Sequence, residues 1–199
     1  MRLSFIITML ALTTTPAQAT PFNLGYSGFY KYMSKVEKAK VEHAELGFYL
    51  SRTDEQGLCS IESGIIRVDD TLKGEVEVLP HGQFLLPYDK QLDLDKALVE
   101  LEVTDTEQCD ISIQIQANLV AGDVSMAQLR QAEDEMYRLL QKMAGWPGRY
   151  FVPELKGIKL HPAKPGQTLN GVEQLKLSDA DLADERTLSL PAVRITPWF

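Results

Sequence analysis

Apolar residues along this chain recur first at steps of three and four, then at steps of two, then at three and four again. Each change of period marks a change of element. Tyr26, Phe29, Tyr30, Met33 and Val36 share one face of a predicted helix, with Lys31, Lys35, Glu37 and Lys38 filling the other side and Ser27 placed as its N-cap. A tyrosine-rich stripe at helical spacing reads as core rather than as a ligand platform. From Glu45 to Asn118 the period is two. Leu46, Phe48 and Leu50 alternate with Gly47 and Tyr49; Val76 and Val78 with Glu75 and Glu77; Val99, Leu101 and Val103 with Glu100 and Glu102. Ser112, Gln114 and Gln116 separate Ile111, Ile113 and Ile115 and should form a wet face. Between Leu58 and Val68 the parity changes, since Cys59, Ile61 and Ile65 are followed by Ile66 and Val68, which predicts a bulge or a strand covered on both faces. Turns are expected at Asp54-Glu55-Gln56-Gly57, Lys73-Gly74, His81-Gly82 and Asp105-Thr106-Glu107.

The helical period returns at Ser125, where Ser125-Met126-Ala127-Gln128 spells a capping box. Leu129, Ala132, Met136, Leu139, Leu140 and Met143 form the apolar stripe, with Gln131, Asp134, Glu135, Arg138 and Gln141 mostly elsewhere. Gly145 followed by Trp146-Pro147 should stop this helix, with Lys142 at the negative end of its dipole. The methionines on the stripe read as core filler. Signals then weaken: an edge strand at Ile158-Lys159-Leu160, a hairpin at Asn170-Gly171, one helical turn within Ser178–Glu185, and a last strand from Leu188 to Phe199 broken by Pro191 and Pro197. The whole pattern predicts an α+β fold, mainly antiparallel β-sheet or a small sandwich, with one N-terminal and one C-terminal-side helix. One domain should span residues 20–162, with a C-terminal extension, residues 163–199, packed on it.

Residues 1–19 stand apart from this pattern. Arg2 precedes a nearly unbroken apolar run from Leu3 to Leu12, too short to span a membrane, and Pro16 comes just before Ala17-Gln18-Ala19. This reads as a secretory signal cleaved after Ala19, leaving a periplasmic protein that starts at Thr20. Removing it takes Arg2 alone among the charged residues, so 19 basic and 28 acidic residues remain. A net charge of −9 argues against nucleic acid and against anionic lipid surfaces, which need clustered Lys and Arg. No later apolar run reaches spanning length. In an exported chain the two cysteines, Cys59 and Cys109, should be bonded to each other, because each keeps step with an apolar face: Cys59 with Ile61 and Ile65, Cys109 with Ile111, Ile113 and Ile115. Closing a loop of about 50 residues would stabilise by about 4 kcal/mol in the chain-entropy model.

Candidate chemistry is sparse. His43 with Glu42 and Glu45 is the nearest approach to a metal or acid–base cluster, and these three are the binding candidates; true sites draw ligands from several elements. Asp179, Asp181 and Asp184 lack the glycine and oxygen alternation of a calcium loop, and Ser27 lacks the second glycine of a nucleophile elbow. No catalytic residue, metal ligand set or cofactor motif is assigned. The reading is a non-catalytic binding or interaction module of the cell envelope, taking an envelope protein or ligand on polar strand faces such as Ser112, Gln114 and Gln116 or on an open sheet edge. The alternative is a periplasmic hydrolase with its site near His43.

Several segments in a consistent order carry a family resemblance. They are Tyr26-Ser27, His43 just before an apolar strand, Cys59-Ser60-Ile61, Leu86-Pro87-Tyr88-Asp89, Cys109-Asp110-Ile111-Ser112, Met136 through Gly145, and Tyr150-Phe151-Val152-Pro153 leading to Gly157-Ile158. From about Tyr26 to Leu160 the chain resembles an exported-protein family of gammaproteobacteria, domain of unknown function 2987. It departs from the family pattern at Glu42, where a glycine would precede the histidine. The resemblance implies an extracytoplasmic compartment and a single domain, and no activity.

Overall fold

The computed structural model of the protein describes residues 20–199 apart from 55–56, 105–107, 165 and 170. The signal-like segment 1–19 lies outside the described residues, as do Glu55-Gln56, Asp105-Thr106-Glu107 and Asn170 of the expected turns. In chain order the first elements are β1 (Thr20–Gly25), α1 (Tyr26–Ala39), β2 (Ala44–Arg52), β3 (Ile61–Val68), β4 (Thr71–Glu75), β5 (Glu77–Val78) and β6 (Phe84–Leu85). Then come α2 (Lys90–Leu94), β7 (Leu98–Val103), β8 (Cys109–Leu119), β9 (Gly122–Ser125) and α3 (Met126–Gly148). The chain closes with β10 (Gly157–Pro162), β11 (Leu175–Ser178), α4 (Asp179–Leu182), β12 (Thr187–Leu190) and β13 (Val193–Trp198).

The fold is mainly antiparallel β-sheet with a few helices. A four-stranded sheet has the order β1-β7-β3-β4, a seven-stranded sheet the order β11-β10-β13-β8-β2-β6-β5, and β12 pairs with β9. The strand pairs are antiparallel. On the seven-stranded sheet, alternate residues put Ala44, Phe48 and Leu50 on one face, and two covers share that face. At the end holding Ala44, Ala117 and Ile195, the α3 side chains Met126, Leu129, Ala132, Met136 and Leu139 pack into one core. At the end holding Phe48 and Leu50, α1 and the four-stranded sheet supply Tyr26, Phe29, Ile66, Val99 and Leu101 to a second. Leu46, between the two ends, touches both. Phe29 meets Phe48 and Phe84 edge-on, with ring centroids 5.0 and 5.7 Å away, so α1 is seated by aromatic contacts.

The disulfide forms as the alternation predicts: Cys59 and Cys109 are bonded, across a separation of 50 residues. Cys59 lies just before β3 and Cys109 opens β8, so the bond ties the four-stranded sheet to the seven-stranded one. The parity change in β3 is a bulge, with register shifts at Ile61/Ser63 and Ile66/Arg67. Ser125 accepts from the Gln128 N–H and Gln128 reaches back to the Ser125 N–H, completing the capping box. The α3 path breaks at Gly145, whose φ of 66° only glycine adopts without strain, so Gly145 ends the regular helix.

Other expectations are corrected. Ser27 is not the N-cap; Gly25 is, because β1 runs straight into α1 and the Tyr26 N–H is taken by the Ala97 carbonyl. Lys73-Gly74 lies inside β4, and the chain instead reverses at Asp69-Asp70, where Asp69 has a φ of 51°. Ile158-Lys159-Leu160 is no edge strand, since β10 lies between β11 and β13. The chain from Leu188 onward makes two strands in different sheets, because Pro191 and Ala192 separate β12 from β13. On β8 the predicted faces do not hold throughout: Gln116 is fully buried while Ile111 is 37% exposed. Tyr49 too is fully buried, so β2 is covered on both faces.

Candidate functional site

The chain enters β2 through residues 42–45, and there the predicted cluster separates. Glu135 projects from α3, 3% exposed, and its Oε2 accepts the backbone N–H groups of Glu42 (2.8 Å), His43 (2.6 Å) and Ala44 (3.2 Å). Its Oε1 lies 3.2 Å from His43 Nδ1. Burial alone would raise this carboxyl group, but the His43 N–H and ring together with the Ala44 and Glu42 N–H groups overcome it and hold the pKa at about 2. The three amides form a nest for a permanent anion. His43 is thus oriented by Glu135, with its side chain 32% exposed. Glu42 contributes its amide and is exposed.

Glu45 leaves by the opposite face of the sheet. Its Oε1 accepts from Gln116 Nε2 at 3.0 Å and from Asn118 Nδ2. Gln116 also donates to Gln83 Oε1 (2.9 Å), and Tyr49 Oη donates to Gln116 Oε1 (2.6 Å). His81 Nε2 lies 3.1 Å from Gln83 Oε1, and the Arg194 guanidinium sits over the Tyr49 ring, 5.5 Å from its centroid. Burial raises the Tyr49 phenol above its usual range, against the pull of Arg194 and of the Gln116 bond. Gly47 makes the network possible: a Cβ there would stand 2.5 Å from both Gln116 Oε1 and the Tyr49 ring. These groups satisfy one another, which holds Glu45 and Gln83 in place at the sheet edge.

That edge is open over a short stretch. The Cys59 N–H donates to the Leu50 carbonyl and the Ala44 N–H to Glu135, so even-numbered residues of β2 turn their backbone groups away from β8. Phe48 pairs with Phe84 of β6. This leaves the Leu46 N–H and C=O facing outward without a partner among the described residues. They face a groove of about 370 Å³ between α1 and the chain from Gln83 to Tyr88. Met33, Val36 and Phe84 give it apolar walls; Glu37, Glu45 and Gln83 give it polar ones.

Compared with known families, residues 18–161 match the one described as protein of unknown function (DUF2987). The chain belongs to the DUF2987 family. Neither the curated proteins nor the solved structures contain a significant match to it. In this DUF2987 member the segments that carried the resemblance meet in space. Tyr26 Oη donates to the Pro87 carbonyl and accepts the Asp89 N–H at 3.0 Å, while Tyr30 stacks on Tyr88 with centroids 5.1 Å apart. Residues 42–44 meet α3 through Glu135, and the two cysteine segments are joined covalently. Tyr150 and Phe151, by contrast, stay 65% and 80% exposed.

Sequence reasoning missed Glu135, Gln83 and Tyr49. The signal for Glu135 was present: it falls three residues after Ala132 and four before Leu139, on the flank of the apolar stripe, where a charge needs a partner. Nothing in the local sequence marked Gln83 or Tyr49, since their partners come from other strands. Among the described residues no group of three His, Cys, Asp or Glu side chains could hold a metal ion, and no helix is long and apolar enough to cross a membrane.

Proposed function

We propose that the mature protein, starting at Thr20, is an exported, non-catalytic binding module of the cell envelope that takes an extended peptide segment along the open edge of β2. The observation that carries this reading is the unpaired Leu46 backbone, which offers one N–H and one C=O in strand geometry inside an apolar groove. An extended chain satisfies both groups while its alternate side chains enter the groove, as in recognition by strand addition. Glu37 and Glu45 at the groove favour a segment that carries a basic residue. Export is supported by the cleavage pattern at Ala17-Gln18-Ala19 and by the disulfide.

The test uses protein recovered from the exported fraction, which should show the intact mass of a chain starting at Thr20. It is titrated with hexapeptides that alternate apolar residues and lysine. Binding should slow exchange of the Leu46 amide, and Glu37→Lys should weaken it several-fold, on the order expected for a rim charge. Retention of Met1 removes the export argument. Absence of binding, or binding that leaves the Leu46 amide exchanging freely, removes the peptide reading. Turnover of an ester, phosphate, glycoside or peptidoglycan substrate that is lost in folded His43→Ala would replace it with the hydrolase reading.

A further inference from the structure

Charge is not spread evenly along this chain, and the fold gathers a basic part of it at one end. Between Met136 and Pro153 stand Arg138, Lys142 and Arg149, with no acidic residue among them. From Tyr26 to Val41, Lys31, Lys35, Lys38 and Lys40 stand against one acid, Glu37, which lines the β2 groove. The C-terminal ends of α1 and α3 lie together. Lys35 Nζ donates to the Met143 carbonyl (3.3 Å) and Lys142 Nζ to the Lys38 carbonyl (3.5 Å), so each helix neutralises the carbonyl end of the other. Both lysines are exposed, and an ammonium group has three N–H donors to place.

At the same end the chain turns aromatic rings into solvent. Gly145 arrests α3, and Trp146 follows in extended backbone, φ −91° and ψ 135°, so it leaves the stripe whose last members in the core are Leu139 and Met143. Trp146 is 81% exposed, and with Tyr150 and Phe151 it gives three exposed rings within six residues. Cations sit among the rings. The Arg149 guanidinium lies 4.7 Å from the Tyr150 centroid, and Lys35 Nζ lies 5.6 Å from that of Tyr32, itself exposed.

The cationic surround selects what covers this apolar surface. Lysine is depleted from protein–protein interfaces, and two copies meeting here through a twofold axis would set lysine against lysine. Trp and Tyr instead concentrate where water meets lipid, and Lys and Arg beside them reach anionic headgroups. We propose that the shared end of α1 and α3 docks on an anionic phospholipid bilayer, with Trp146 and Phe151 entering the headgroup layer and Lys35, Lys38, Lys142 and Arg149 facing lipid phosphates. The net charge of −9 describes the chain from Thr20 as a whole, whereas attraction within a Debye length of about 8–10 Å is decided by the residues nearest the lipid. The contact is peripheral, since among the described residues no helix is long and apolar enough to cross a membrane. It is separate from the β2 groove, and neither reading depends on the other.

The experiment is vesicle co-sedimentation of the chain from Thr20, which comprises the whole described fold and lacks the apolar run Leu3–Leu12 that would itself enter lipid. At low salt it should bind phosphatidylcholine vesicles containing one third phosphatidylglycerol about tenfold or more tightly than vesicles of phosphatidylcholine alone. Salt at about 0.5 M should remove most of that difference. Lys142→Glu should weaken binding about fivefold or more, while Lys73→Glu on β4, in the other sheet, should not. Trp146→Ser combined with Phe151→Ser should weaken it about tenfold or more and leave the melting point unchanged, because both side chains are exposed. In a Trp198→Phe background, Trp146 is the one remaining tryptophan, and its emission should shift to the blue on binding. Equal affinity for the two vesicle types, an unshifted Trp146 emission, or unchanged binding in the Trp146→Ser/Phe151→Ser variant would overturn the proposal. A dimer that the same variant dissociates, in the absence of vesicle binding, would assign the face to a second copy and overturn it as well.

Discussion

The residue that decides most in the region of the predicted cluster is Glu135, whose work is positional. One carboxylate replaces water for three backbone amides at the entry to β2 and fixes the imidazole of His43. Glu135→Ala leaves the buried Ala44 amide and the part-buried Glu42 and His43 amides without their acceptor and should cost about 3 kcal/mol, the loss for hydrogen bonds to a charged group. Glu135→Gln keeps an acceptor and should cost less. The pH dependence has a definite sign. The folded pKa, about 2, lies below the usual 4.5, so this stabilisation is complete above pH 4.5 and is lost as the pH falls toward 2. Urea unfolding of wild type and Glu135→Gln across that window measures it; parallel curves would remove Glu135 as the anchor.

Among the elements, β8 and β3 are coupled by a covalent bond as well as by packing. The Cys59–Cys109 disulfide joins the four-stranded sheet to the seven-stranded sheet on which α1 and α3 pack, so it constrains the unfolded chain over 50 residues and holds two layers in register. Cys109→Ala should lower stability by about 2–5 kcal/mol, the usual loss for a small secreted domain, read from denaturant midpoints with and without reductant. A wild-type midpoint indifferent to reductant would show that packing alone aligns the sheets. The α3 helix was legible because local chemistry defines both ends: Ser125 with Gln128 at the start, Gly145 at the stop. The β10 strand was misread because Ile158-Lys159-Leu160 looks half wet in isolation, and its second neighbour arrives from more than thirty residues later in the chain.

For the whole molecule, the decisive feature is that one face of a single sheet carries two cores. The family match ends at residue 161, yet β13 lies between β10 and β8 and inserts Val193 and Ile195, both buried, beneath α3. Leu169, Leu177, Leu182 and Leu190 join the same core. A chain of residues 20–162 would expose that apolar surface and leave β8 and β10 with bare edges. It should therefore aggregate or melt without cooperativity, as judged by size exclusion and circular dichroism. A monomeric truncated protein with a sharp melt would make residues 163–199 a dispensable extension.

The properties legible in the sequence alone were those set within a few residues of each other or by simple alternation. Helix capping at Ser125, helix arrest at Gly145, the buried stripe Val99-Leu101-Val103 and the pairing of the only two cysteines all follow from local geometry and phase. Glu42, His43 and Glu45 show where that reach ends. Their proximity in the chain suggested one site, but strand alternation sends Glu45 to one side of the sheet, while a helix more than ninety residues away binds His43. Which strand is an edge and which carboxylate finds its hydrogen bonds depend on partners brought by other elements. Those outcomes belong to tertiary structure, because a hydrogen bond or a covered face is a property of two segments and neither segment encodes it alone.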